Sequence, residues 1–181
     1  MNGTIKTLAA AALMLAAGCA TDVKPSNDKL QKGLNQYYEA HNECLYPEGL
    51  KFPLDLMPGD NFADQKKKLD AMTDVGLMKR EAVPAAKFYR YTLTPLGERA
   101  APRFCYGHKT VTAVDSFTAP VKQGKFLQTT ASYHTTLMDI PVWVKTDKMT
   151  AAFPDMGKAV SSPQPGQTML ENAGAGWQVP Q

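Results

Sequence analysis

Leu69-Asp70-Ala71-Met72-Thr73-Asp74-Val75-Gly76-Leu77-Met78-Lys79-Arg80 is followed, eight residues on, by Tyr89-Arg90-Tyr91-Thr92-Leu93-Thr94-Pro95-Leu96-Gly97-Glu98-Arg99-Ala100. These two runs decide the fold of the first half of the chain. A helix is expected from about Asn61, with Asp64 in its first turn and Phe62, Leu69 and Met72 facing inward. Gly76 stands where a helix ends and the chain must reverse. Leu77 to Val83 and Lys87 to Leu93 have strand composition, with a turn around Pro84-Ala85-Ala86. Thr94 then caps another helix, and Pro95 occupies its first position, where a missing N–H costs nothing.

The helix ending in Gly-Leu, the two-stranded ribbon and the Leu-Thr-x-x-Gly opening of a short helix resemble the back half of winged-helix domains. The resemblance covers residues 62–100. It departs at the front, where a Pro-rich loop stands in place of a middle helix. Winged helices usually bind DNA, so the likeness implies phosphate contacts from Lys66-Lys67-Lys68 and Lys79-Arg80. Asp64, Asp70 and Asp74 dilute that charge, and a solvated lysine face is the simpler expectation.

Upstream, Ser26 or Asn27 can cap a helix that runs to about Asn42. Leu30, Leu34, Tyr37, Tyr38, His41 and Leu45 recur along it at helical spacing. His41 falls on that stripe and reads as an interfacial histidine. Tyr46 to Gly59 reads as an extended loop. Downstream, Phe104–Thr118 and Phe126–Leu137 are rich in aromatic and β-branched residues and are expected to form a long antiparallel hairpin, with a turn at Val121–Lys125. Ile140–Val144 continues extended, Thr146 or Asp147 caps a short helix through Phe153, and residues 161–166 form a loop. A closing hairpin around residues 172–175 lays Trp177 over the sheet. The fold class is α+β: an N-terminal helix and a winged-helix-like unit in residues 27–101, then a mostly antiparallel sheet in residues 102–181, packed with it as one domain.

The beginning of the chain gives an address. Residues 1–19 read MNGTIKTLAAAALMLAAGC. Lys6 precedes an apolar run of about ten residues, against the roughly 20 that a bilayer span needs, and small residues follow. Leu15-Ala16-Ala17-Gly18-Cys19 resembles the lipobox of bacterial lipoproteins, although Ala16 holds the place where the family usually has Leu. The likeness implies a signal peptide in residues 1–18, cleavage before Cys19, acylation of Cys19 by palmitate-type chains and a tether over residues 19–26. Ala20, rather than Asp, implies export to the periplasmic face of the outer membrane. The rival reading is an ordinary signal peptide cut near Ala17.

The 181-residue chain has 20 basic and 17 acidic residues. Removing Lys6 leaves 19 against 17, too near balance to favour a nucleic-acid partner. Cys44 and Cys105 remain after Cys19. In an oxidising periplasm such a pair is expected to join, the alternative being two separate buried thiols. No CxxC occurs, and His41, His108 and His134 are scattered, so neither metal nor cofactor is expected. His108, Asp115, Ser132 and His134 are the nearest ingredients of a hydrolytic site. Strand alternation places Asp115 on the opposite face from His108, and a polar outer sheet face explains all four. Glu39 with Glu43, one helical turn apart, reads as helix-surface solvation.

The expected function is therefore that of a non-catalytic, lipid-anchored binding or accessory module in the envelope. It would engage another envelope protein or cell-wall material, with the wing residues Arg80, Lys87, Tyr89, Arg90 and Tyr91 as the partner surface. A periplasmic enzyme acting on the wall is the alternative. A DNA-binding winged helix is the remote one, if the leader is misread.

Overall fold

Ser26 opens the first helix by accepting a hydrogen bond from the Lys29 N–H, and α1 runs Asn27–Glu39. The computed structural model describes residues 23–180, so the leader and Cys19 lie outside the described residues. The helix is shorter than its periodicity suggests. Ala40 closes it through the carbonyls of Tyr37 and Tyr38, and β1 starts at once (Asn42–Cys44). His41 is exposed rather than on the core stripe; its ring stacks on Tyr37 at 4.0 Å and its Nδ1 meets the Tyr37 carbonyl.

The chain then crosses a loop to β2 (Leu54–Leu56), α2 (Phe62–Asp74), β3 (Met78–Val83), β4 (Phe88–Leu93) and α3 (Pro95–Ala100). Helix, ribbon and short helix stand where the sequence puts them. The stretch read as a loop contributes a third strand: the small sheet has the order β2-β4-β3, all antiparallel. Gly76 (φ +77°) makes the reversal, and Thr94 clamps it. The Thr94 hydroxyl donates to the Gly76 carbonyl at 2.6 Å and accepts from the Gly97 N–H at 3.0 Å.

The second half is built on β5 (Cys105–Phe117), β6 (Val121–Gln123), β7 (Phe126–Met138) and β8 (Gln164–Asn172). The large sheet runs β1-β5-β7-β6, with β8 paired along β7. Val121–Gln123 is a short strand rather than only a turn. Ile140–Val144 is not extended: residues Val142–Lys145 form a 3₁₀ turn that buries Trp143 and Val144, so packing overrides β-branched composition there. Thr146 caps α4 (Asp147–Ala152), and α5 (Pro154–Ser161) follows. The stretch read as a loop from residue 161 begins β8 at Gln164. The chain is α+β, with helices first and a mostly antiparallel sheet after them.

Two cores result. One is shared by α2, the small sheet, α4 and α5, and includes Met72, Leu77, Tyr91, Phe104, Met149 and Met156. The other lies between α1 and the large sheet, and includes Leu30, Leu34, Val111, Tyr133, Leu170 and Trp177. Two bulges in β5, at Val111/Ala113 and Val114/Ser116, interrupt its pairing with β7. Side chains of α1 bond the backbone there: Asn27 donates to the Val114 carbonyl, Gln31 donates to the Val111 carbonyl, and Asn35 accepts from the Val111 N–H. The polar face of α1 is thereby tied to an irregular strand whose backbone groups need partners. Cys44 and Cys105 form a disulfide, which fastens β1 to the head of β5. Among the described residues no helix is long and apolar enough to cross a membrane.

Candidate functional site

The inner face of the large sheet is covered twice, and the two covers do not meet. α1 lies over Val111, Val114, Ala131 and Tyr133, while Tyr106 and Leu137 belong to the core under α4 and α5. In the gap the inward residues turn polar: Lys109 on β5, Thr135 on β7 and Thr168 on β8. A cleft of about 460 Å³ opens there, bounded by Tyr38 and Glu43 on one side and Asp155, Lys158 and Ala159 of α5 on the other.

Its polar groups are organised. The Tyr38 and Tyr133 hydroxyls lie 2.6 Å apart, and the Tyr133 hydroxyl lies 2.7 Å from Thr168 Oγ1. Lys109 Nζ sits 2.8 Å from Glu43 Oε1 and 5.9 Å from the Tyr38 ring centroid. Burial first, and then the bond to Tyr133, push the Tyr38 hydroxyl well above its ordinary pKa. Tyr106 is only 7 % exposed, and among the described residues its hydroxyl has no hydrogen-bond partner. Burial, aided by the negative charges of Glu43 and Asp155, moves its pKa up to about 12, so it is a neutral donor and acceptor at any physiological pH.

The wing is arranged differently from the sequence reading. Tyr91 is fully buried and donates to Asp70 at 2.9 Å, so it is a core residue and is corrected from the partner surface. Residues 89 and 91 share a strand face, and that face is turned onto α2. Tyr89 is half-buried, stacks with Phe62 and lies under the Lys66 and Arg80 side chains. Arg80 meets Asp70 at 2.7 Å, and Lys66 also pairs with Asp70. Burial alone would raise the Asp70 pKa; the hydrogen bonds from Lys66, Arg80 and Tyr91 outweigh it and hold the carboxyl below its usual value. Arg90 grips Asp55 with two bonds of 2.7 Å, tying β4 to β2, and this bonding depresses the Asp55 pKa. Lys87 stands at the turn in a left-handed conformation (φ +54°) and is exposed. In the lysine run, Lys68 is paired with Asp64 as Lys66 is with Asp70.

The bulges in β5 also correct the alternation argument. They put Asp115 on the outer face, where its carboxylate lies 2.9 Å from His134 Nδ1. Ser132 shares that face, but the hydrogen bond to its hydroxyl comes from Gln167. His108 is apart, 3.5 Å from Asp139. Glu43 lies past the end of α1 and pairs with Lys109, so it does not stand one helical turn from Glu39. Among the described residues no three His, Cys, Asp or Glu side chains gather as a metal site.

Sequence reasoning missed the cleft. A partial signal was present: Lys109, Thr135 and Thr168 occupy inward positions on their strands, as the buried Thr129 and Asn172 also do away from the cleft. Finding it needs the register of three strands, which the bulges displace. No family model matches the chain, and no curated protein or solved structure matches it.

Proposed function

We propose that this chain is a non-catalytic, lipid-anchored protein of the outer membrane's periplasmic face that binds an envelope component in the cleft between α1 and α5. The observation that supports the binding role is the cleft itself, a polar gap in the sheet's covering where Tyr106, a largely covered side chain, presents an accessible hydroxyl that no protein group among the described residues bonds. Small-molecule sites are concave and hold a few convergent polar groups that fix a ligand's orientation, and the hydroxyls of Tyr38, Tyr106 and Thr168 line this cleft in that way. The lipobox-like residues 15–19 supply the anchor, and the Cys44–Cys105 disulfide suits an oxidising compartment.

The wing serves here as scaffold, and its likeness to winged helices is local architecture turned to packing. Its arginines are engaged by Asp70 and Asp55, and two lysines of the run are paired within α2, which argues against a phosphate-binding role. The enzymatic alternative rests on Asp115 and His134. Those two stand on an open sheet face, and the adjacent Ser132 is bonded to Gln167, so no nucleophile–base link is formed.

Photocrosslinking in cells tests where the protein binds. A benzophenone side chain at residue 158, on the cleft rim, is expected to form adducts with an envelope component. The same group at residue 87, on the wing turn, is expected to form few. Adducts at residue 87 with none at residue 158 would return the wing as the docking surface.

A further inference from the structure

We infer that the cleft takes a neutral, hydroxyl-rich ligand of the saccharide class, bonded to the Tyr106 hydroxyl; the inference rests on the reading of the cleft as the functional site.

Charge comes first. The cleft holds two lysines and two carboxylates, paired as Lys109 with Glu43 at 2.8 Å and Lys158 with Asp155 at 3.9 Å. Their charges cancel, so the site offers no net attraction to an ion. An anion at Tyr106 would face Glu43 and Asp155, the same two carboxylates whose charges act on that hydroxyl. Phosphate and carboxylate ligands are therefore disfavoured at the floor of the cleft. An ammonium would have to share Glu43 with Lys109, which already occupies it.

What remains is hydroxyl. Tyr38, Tyr133 and Thr168 are linked in a chain of contacts of 2.6 and 2.7 Å, and Tyr106 stands free beside Lys109 and Glu43. A hydroxyl both donates and accepts, so a surface of hydroxyls is matched by a ligand of hydroxyls, which can reverse each bond as the geometry demands. The volume of about 460 Å³ lies within the roughly 300–1,000 Å³ of small-ligand sites.

Calorimetry on the full-length, disulfide-intact protein, in a detergent without a sugar headgroup, tests this. The neutral probes are chitotetraose, maltotetraose and cellotetraose; the charged ones are the dipeptide alanyl-alanine and inorganic phosphate. At least one oligosaccharide is expected to bind, and neither charged probe. Tyr106→Phe keeps the ring and removes the hydroxyl; it should weaken binding about tenfold, the loss of one hydrogen bond. Ala159→Leu, on the cleft wall, should abolish binding while the melting temperature shows that the fold persists. Saccharide binding that ignores both variants would overturn the inference, as would no binding of any oligosaccharide. Dipeptide or phosphate binding that needs Tyr106 would overturn the saccharide class and leave the cleft as the site. Adducts at residue 158 report on the site alone, so the two failures are distinguishable.

Discussion

Replacing Cys44 and Cys105 together by alanine is expected to lower the unfolding free energy by about 4 kcal/mol, the chain-entropy value for a loop of this length. The bridge closes a separation of 61 residues. It also holds more than entropy. β1 is only three residues long, and the loop after it clings to the chain before β5 by backbone bonds: Leu45 and Tyr46 N–H to the carbonyls of Phe104 and Arg103, and Leu50 N–H to Pro102. Glu43 immediately precedes Cys44, so the bridge fixes the carboxylate that faces Lys109 in the cleft. Urea denaturation checks the stability term. With a slope of about 2 kcal/mol/M, the midpoint should fall by about 2 M. Reductant should move the wild type toward the double variant and leave the variant unchanged. A midpoint shift below about 0.5 M would show that the bridge adds little.

Gly97→Val is expected to cost about 3 kcal/mol or more. A Cβ at residue 97 would lie 1.9 Å from the Leu77 carbonyl oxygen and 2.9 Å from its carbon. The obstacle is backbone, so no rotamer change relieves it, and overpacking of this kind typically costs about 1–3 kcal/mol, occasionally more. The same carbonyl accepts the Thr94 N–H at 3.2 Å. Pushing α3 away therefore also opens the clamp that Thr94 places on Gly76 and the Gly97 N–H. Glu98→Gln, one residue on and exposed, should stay within about 0.5 kcal/mol. Thermal melts of the two variants separate the outcomes, and equal melts would remove the close contact from the account.

These two sites also show what the sequence can carry. Thr94-Pro95 and Gly76 are local signals, each acting within a few residues, and so the helix–ribbon–helix order was legible. The long hairpin was legible because composition persists over a dozen residues on each side. The three-residue strands were not: Leu54-Asp55-Leu56 is a strand because β4 is beside it, and the two-bond grip of Arg90 on Asp55 joins residues 35 apart in sequence. Tyr91 was misplaced for the same reason. Alternation says that it shares a face with Tyr89, but α2 decides which face is covered. The cleft needed more again, since it exists where α1 stops and α5 has not begun, over strands whose bulges reset their own alternation.

The most direct measurement is the intact mass of the protein extracted from its own envelope, with digestion to recover its N-terminal and cysteine-containing peptides. The account predicts an N-terminus at Cys19 carrying three acyl chains, and the Cys44 and Cys105 peptides recovered joined. A product that begins at Met1, or an unacylated N-terminus near residue 18, would contradict the lipid anchor. Two free thiols would contradict the oxidising address.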